Sequence, residues 1–469
     1  MGVGFFLPFC ICGQPKEPWL TCEQMKQDLD SLLHLLETSH PYPMGYSEPI
    51  EWSNAVQLAY DSSAVRERSN FEFSLIIGRL LQNLKDSHTQ VSINGLWSQH
   101  LNKGYRFIPI KLSGNFVSKD LNQKIPLGSE LISIASITLE KILEETAPLL
   151  LMEHDSFDGI QRQQDELFPV YSALLLLQKQ ESVDIQYKDT EGVIHEVNVP
   201  TWGKKEKDQY QKKNVELYSD LPKIEFYHDT AYIGVSTFAP KKISKQNRII
   251  RRFFRSCQRK KINHLVVDLR DNTGGKSTEV EYLMSFLLEE GYNAPHNIIA
   301  KRSGLSDSRV KPLKNKFIRG FLRFTMRRNE DIQRYIELMS LPEGETDTLY
   351  FTKKIQQKKW IFQGEKNLWV NGLSASASVD FTQAWKNNQL GPIWGQCIMG
   401  NRMGTFGNAA TTTLPHSKIN VSIATIRYNY SQEFEFYSPN ICPEIRVENS
   451  FENIVNGTDA YWSAYRKKI

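Results

Sequence analysis

Leu265-Val-Val-Asp-Leu-Arg-Asp-Asn-Thr-Gly-Gly275 decides the fold. Leu265–Leu269 is a nearly unbroken apolar run, as a strand buried on both faces should be. Two glycines follow, and then a helical pattern over Thr278–Glu290. Strand, glycine turn and helix are the parts of a parallel sheet with helical crossovers, so residues 222–469 are expected to form an α/β layer. Upstream, Ala231–Phe238 reads as another strand. Ser244–Lys261 reads as a basic helix with Ser244 as its N-cap.

The glycines also carry chemistry. A backbone without Cβ lets a substrate approach closely and aims N–H groups at it. Phosphate binding and an oxyanion hole both use that, and a plain strand-to-helix turn needs it for neither. Gly275-Lys276-Ser277 imitates the end of a phosphate-binding loop, but such a loop requires glycine at 270, where Arg270 stands. A second segment, Val370-Asn-Gly-Leu-Ser374-Ala-Ser376-Ala-Ser378-Val-Asp380-Phe, again runs from strand through small residues into helix. That geometry exposes a nucleophilic serine, and the helix N-terminus helps to hold an anion. Alone, a Ser/Ala run is equally a helix cap.

Outside these segments the chain divides into modules. Residues 20–84 have helical periodicity. Thr21-x-x-Gln24 is a capping box, and Met25, Leu29, Leu32, Leu33 and Leu36 follow at helical spacing until His40-Pro41. Phe71–Leu84 is a second helix, leading into Lys85-Asp86-Ser87-His88-Thr89 and a short alternating strand to Ile93. Between 105 and 203, Phe107–Leu112, Ser129–Ile134 and Val183–Tyr187 read as strands with a helix at Leu139–Leu151, a small mixed-β module. The charged stretch Lys204–Lys213 reads as a solvated linker. Residues 300–330, rich in Lys and Arg, read as a surface insertion with a solvated basic face and not as a nucleic-acid site.

Composition bounds the rest. With 469 residues, 40% hydrophobic and 23% charged, the chain can bury a large core in two or three modules, which excludes a disordered chain. Its 57 basic and 53 acidic residues leave a net charge of +4, too mild to indicate nucleic acid. No apolar run reaches the ~18–20 residues of a membrane span. Six cysteines, at 10, 12, 22, 257, 397 and 442, have no zinc-site spacing and read as buried small hydrophobes. The first 13 residues are uncharged and similar to a secretory leader that lacks its basic start, so residues 1–19 are expected to direct export.

Taken together, Asp268–Gly275 and Ser374–Ser378 resemble the motifs of the S41 serine peptidases, and Gly391-Pro-Ile-Trp-Gly395 and Pro443-Glu-Ile-Arg-Val447 continue the resemblance. It implies an α/β catalytic core over 222–469, a helical cap over 20–100 and a PDZ-like module over 105–203, with Gly128–Ile134 the best-matching part of that module. It implies Ser376, the middle serine, as nucleophile. Processing peptidases of the family use a lysine base from a glycine-rich stretch. Here that stretch is Gly395–Asn401, and Asn401 falls at the lysine position, where an amide cannot take a proton. Lys386 and Lys276 are substitutes. The tricorn-like branch uses a histidine of the cap preceded by a serine, which corresponds to Ser87-His88. An imidazole pKa near 6.5 suits a base at neutral pH.

The resemblance then implies His88 as base and Ser87 orienting either the imidazole or the substrate. N–H groups of Gly274 or Gly275 and of Ala377 would form the oxyanion hole. A late glutamate would complete the site, Glu433 or Glu435, with Glu435 preferred. Asp380 reads as a first-turn helix residue. The expected substrate is a protein or peptide, with no metal and no other cofactor, in a periplasmic or extracellular setting. The alternative is a non-catalytic protein on the same fold that binds a hydrophobic ligand or peptide.

Overall fold

A computed structural model describes residues 19–154, 156–176, 179–214, 219–289, 297–309, 315–326, 330–350, 358–429 and 440–468. The α/β core is built on the run quoted first. His264–Asp268 lies in the middle of a six-stranded sheet, in the order Ile445–Arg446, Ile393–Gly395, Glu365–Val370, His264–Asp268, Thr230–Gly234, Lys223–Tyr227. All neighbours are parallel except the last pair. Helices cover both faces. On one face Phe253 and Phe254 of the helix Ile243–Lys260 pack with Phe286 in the core, and the other buries Trp369 and Trp394 against the C-terminal helix Ala460–Arg466. Both catalytic-type segments leave the carboxyl ends of adjacent strands, where open α/β sheets place their sites.

The cap contains helices Cys22–Ser39, Pro49–Ala64, Asn70–Gln82 and Ile93–Asn102. The Thr21–Gln24 capping box forms, and a second, Ser69–Glu72, starts the helix that leads to His88. The strand expected to reach Ile93 is only Gln90–Val91, because Ser92 caps the next helix through its side chain. Gln90–Val91 pairs antiparallel with Asn420–Ile423, so cap and core share a three-stranded sheet with Ala410–Thr413.

The mixed-β module is an antiparallel sheet, Ile110–Ser113, Phe116–Asp120, Glu130–Ile134, Ser182–Lys188, Ile194–Pro200, with Ile137–Thr138 at one edge of the turn. The helix expected over Leu139–Leu151 stops at Thr146 and continues as a short 3-10 turn, since Pro148 cannot extend it.

Four readings of the sequence are corrected. A 20-residue helix, Phe157–Leu176, lies inside the mixed-β module. Lys204–Lys213 is an exposed helix rather than a linker. The basic helix starts at Ile243, and Lys242, not Ser244, precedes it. Among the cysteines, Cys257 is buried as expected, but Cys397 and Cys442 form a disulfide. The basic insertion contains helices Gly304–Arg309 and Lys316–Thr325. Among the described residues no helix is long and apolar enough to cross a membrane.

Candidate active site

The strand Glu365–Val370 ends in a tight turn, and the helix Ala377–Asn387 begins directly after Ser376. Ser376 sits at φ 53° and ψ −118°, a conformation that costs a side-chain-bearing residue and persists only where neighbours over-determine it. They do so here. Ser374 Oγ donates to the Leu269 carbonyl at 2.8 Å, and Ser378 Oγ donates to the Asn272 carbonyl at 2.8 Å. Ala375 N–H donates to the same Asn272 carbonyl, and Val379 N–H to the Ser376 carbonyl. Both flanking serines are buried with occupied hydroxyls, whereas Ser376 alone of the three is partly exposed.

Gly274 explains why glycine is needed beside this elbow. A Cβ on it would lie 2.6 Å from Ser376 Cβ, and its φ is +105°. The glycine turn also sorts its own amides. Gly274 N–H donates to Asn272 Oδ1 at 2.9 Å. Neither Gly275 N–H nor Ala377 N–H has a hydrogen-bond partner among the described residues.

His88 comes from the cap. Its Nε2 is 3.1 Å from Ser376 Oγ, across 288 residues of sequence. Behind it lie carboxylates the sequence reading did not assign. Asp86 Oδ1 accepts the His88 backbone N–H at 2.8 Å and lies 3.6 Å from His88 Nδ1. Asp86 Oδ2 is 3.1 Å from Nε2 of His40, which is fully buried. Glu153 Oε2 accepts the Ser87 hydroxyl at 2.6 Å and the Ser87 N–H at 3.0 Å, while its Oε1 accepts the Thr405 hydroxyl at 3.0 Å. Ser87 Oγ is 3.4 Å from His88 Nδ1.

The charges are set by these contacts. Burial pushes the Asp86 carboxyl up, but the bonds from His40 and His88 outweigh it, and Asp86 stays ionised well below the ordinary carboxylate range. Burial pushes the His88 imidazole down, but Asp86 first, then Glu153 and Asp380, raise it above its ordinary value. Glu153 is pushed up to about 7 by burial and by the Asp86 charge, with His88 and Ser87 opposing. Asp86, His88 and Glu153 offer donor atoms within 4.8 Å of one another, the one such group among the described residues. Their lone pairs are already engaged by His40, Ser87 and Thr405, so the group is a hydrogen-bonded charge cluster rather than an open coordination site.

The other candidates fall elsewhere. Lys386 lies in the last turn of the Ser376 helix, about 15 Å along its axis, and pairs with Glu444 at 3.5 Å. Lys276 is exposed at the start of the helix Ser277–Met284. Asn401 is fully buried, its Oδ1 accepting the Met403 N–H. Asp380 is in the first helical turn, as expected. Glu433 and Glu435 lie outside the described residues.

The helix Phe157–Leu176 buttresses the elbow. Gly372 packs so closely on the Asp158 carbonyl that a Cβ would lie 2.1 Å from it. Asp158 holds Arg446 at 2.7 and 2.9 Å and accepts the Cys397 N–H at 2.7 Å.

A serine on a strained strand-to-helix turn, in contact with an imidazole, is the arrangement of an activated nucleophile. Residues 229–447 match the model of peptidase family S41. The matched stretch is 219 of the 469 residues, lies within the α/β core, and is similar to the serine-type peptidases of that family. Its fold is similar to that of a CPAF mutant, with a TM-score of 0.67 at 13% identity, covering 95% of this chain and 96% of that one. It is also similar to mature CPAF in complex with lactacystin, with a TM-score of 0.65 at 14% identity, covering 95% and 97%. The similarity of fold thus extends over nearly the whole chain. No curated protein sequence matches the chain.

Proposed function

We propose that this chain is a serine endopeptidase or carboxy-terminal processing peptidase of family S41 in which Ser376 is the nucleophile and His88 the general base. The observation that carries the reading is the 3.1 Å contact between Ser376 Oγ and His88 Nε2 at a strained elbow. His88 takes the serine proton as Oγ attacks the scissile carbonyl, and returns it to the leaving amine. The acyl-enzyme is then hydrolysed by water that His88 activates in turn. Gly275 N–H and Ala377 N–H, both without a protein partner among the described residues, stabilise the tetrahedral oxyanion. Gly274 N–H is excluded from that role by its bond to Asn272. Ser87, tied to Glu153, holds the loop that carries the imidazole. For the group behind His88, the sequence offers Glu435 or Glu433 and the described residues offer Asp86.

The antiparallel module at 105–203, read as PDZ-like, would capture an extended peptide by strand addition at its edge Ile194–Pro200. Export is supported by the Cys397–Cys442 disulfide, which persists in oxidising compartments. A binding protein without catalysis has no use for the elbow and its histidine, so that reading is not favoured. A fluorophosphonate probe tests the proposal. Labelling of the wild type, lost in Ser376→Ala and in His88→Ala, is expected. An unlabelled wild type under conditions where the protein is folded overturns it.

A further inference from the structure

We infer that Asp86 and His40 are positioning residues of this same site, forming with His88 and Ser376 a chain of four side chains; the inference rests on the peptidase reading above. Tyr42 N–H donates to His40 Nδ1 at 3.1 Å, which puts the His40 proton on Nε2, facing Asp86 Oδ2 at 3.1 Å. The carboxylate is thus held on one oxygen by His40 and on the other by the His88 backbone N–H at 2.8 Å. The remaining lone pair of Oδ1 faces His88 Nδ1. A carboxylate there fixes the tautomer that leaves Nε2 free to accept the serine proton, and stabilises the imidazolium once it forms. The 3.6 Å separation is longer than a hydrogen bond and fits an unliganded site that tightens on substrate. Asp86 and His40 side chains are fully buried, and His40 packs on Phe406 with ring centroids 4.7 Å apart, so the pair cannot swing away. Glu153 and Asp380 are the other charged groups facing His88.

Asp86→Asn presents an amide that cannot serve both sides: with its oxygen toward His88, its NH2 faces the Nε2–H of His40, and the charge that stabilises the imidazolium is gone. The expected loss in kcat is roughly a thousandfold to ten-thousandfold with KM little changed. His40→Phe keeps an aromatic ring and removes the donor, so the Asp86 charge pulls harder on the His88 proton. The acid limb of kcat/KM should move to higher pH, and kcat should fall at least tenfold. His40→Gln, which can still donate, should restore both. If Asp86→Asn and His40→Phe only lower the melting temperature, with kcat and pH profile within about twofold of wild type, the pair is a structural brace and the inference fails. A silent Asp86→Asn beside an inactive Glu435→Gln gives the place to Glu435 and also overturns it. Failure of the underlying reading looks different, because Ser376→Ala and His88→Ala would then remain active.

A different observation concerns the basic insertion. From Arg309 to Arg328 the chain has eight Lys or Arg and no Asp or Glu. Within it the helix Lys316–Thr325 turns Leu322 onto Ile336 and Met339. Its other side presents Phe317, Phe321 and Phe324, at one helical stripe, 89%, 66% and 78% exposed. At ~100° per residue, Lys316 and Arg323 lie roughly 105–130° round the helix from the stripe, both on one side of it. Three exposed phenylalanines on one stripe need an apolar medium, and the basic excess of this segment complements an anionic surface. We propose that this helix docks the enzyme on an anionic lipid bilayer, rings in the acyl boundary and basic side chains at the headgroups. The full chain should co-sediment with vesicles of phosphatidylglycerol and phosphatidylcholine and at least tenfold less with phosphatidylcholine alone. The triple substitution Phe317→Ser, Phe321→Ser, Phe324→Ser should abolish binding while peptidase activity on a soluble peptide is unchanged. Absence of wild-type binding, or binding indifferent to the triple substitution, overturns the proposal. So does a wild-type dimer in light scattering that the triple substitution dissociates, which would assign the stripe to a second copy.

Discussion

Serines 374, 376 and 378 differ in what their hydroxyls can do. Ser374 and Ser378 each donate to a buried carbonyl of the glycine turn, while Ser376 faces an imidazole. Ser376→Ala should therefore abolish fluorophosphonate labelling and peptide hydrolysis with the melting temperature little changed. Ser378→Ala should keep labelling but leave the Asn272 carbonyl with fewer donors, at a cost of roughly 1–3 kcal/mol in a denaturant melt. The same scale sets the pH response. A general base must be neutral, and Asp86, Glu153 and Asp380 together hold the His88 imidazole above its ordinary value. Activity should consequently rise with pH through a midpoint higher than about 6.5. Glu153→Gln removes one of the charges that raise it, so the midpoint should move down, measured as kcat/KM against pH. A midpoint that moves up, or a profile that does not respond to His88→Ala, contradicts this account.

At the level of elements, the nucleophile turn stands on parts that are distant in sequence. Gly274→Ala places a methyl 2.6 Å from Ser376 Cβ at a left-handed backbone angle, and should destabilise the core and eliminate labelling together. The Cys397–Cys442 link closes a loop 45 residues apart in sequence and ties the strand after the elbow to the segment that carries Arg446. By chain entropy it stabilises by roughly 4 kcal/mol, so reduction should lower the melting midpoint by several degrees. Much of this layer was legible beforehand. The apolar run 265–269, the Thr21–Gln24 capping box and the small-residue turn at 374–378 are local signals, and the structure forms each of them. The helix Phe157–Leu176 was not legible. Pro169 lies inside it, and buried Asp158, Gln163 and Asp165 break its apolar face, because they accept the backbone N–H groups of Cys397, Leu151 and Gly114 rather than face solvent. Asp86, Glu153 and His40 were visible as residues, but their roles arise only when Leu84–Thr89 is folded against helices and strands far away in the chain. The Cys397–Cys442 pair likewise had no spacing that announces it.

Across the whole molecule, the proposed catalysis depends on how the N-terminal helices are held, since His88 and Ser376 lie 288 residues apart. The cap helices do not have a core to themselves. Met25, Leu29, Leu32, Phe73 and Ile77 bury against Leu414, Ile419, Val421 and Ile423 of the core. Gln90 and Val91, directly after the His88 loop, pair with Ser422 and Val421, and Thr89 Oγ1 accepts the Ala424 N–H at 3.0 Å. Asp28 closes the other side of this junction. It is fully buried in the first cap helix and accepts the backbone N–H groups of His416 and Ser417, both at 2.8 Å. Asp28→Ala strands two buried amides at the seam beside the His88 loop. The expected loss is roughly 1–3 kcal/mol for each amide. A looser seam also lengthens the average His88–Ser376 distance, so the labelling rate should fall with the denaturant midpoint, and Asp28→Asn, which retains one acceptor, should fall between. An Asp28→Ala variant that melts earlier but labels at the wild-type rate would show that the β-pairing of Gln90 and Val91 alone sets the position of His88. The Asp28 clamp would then serve stability without serving catalysis.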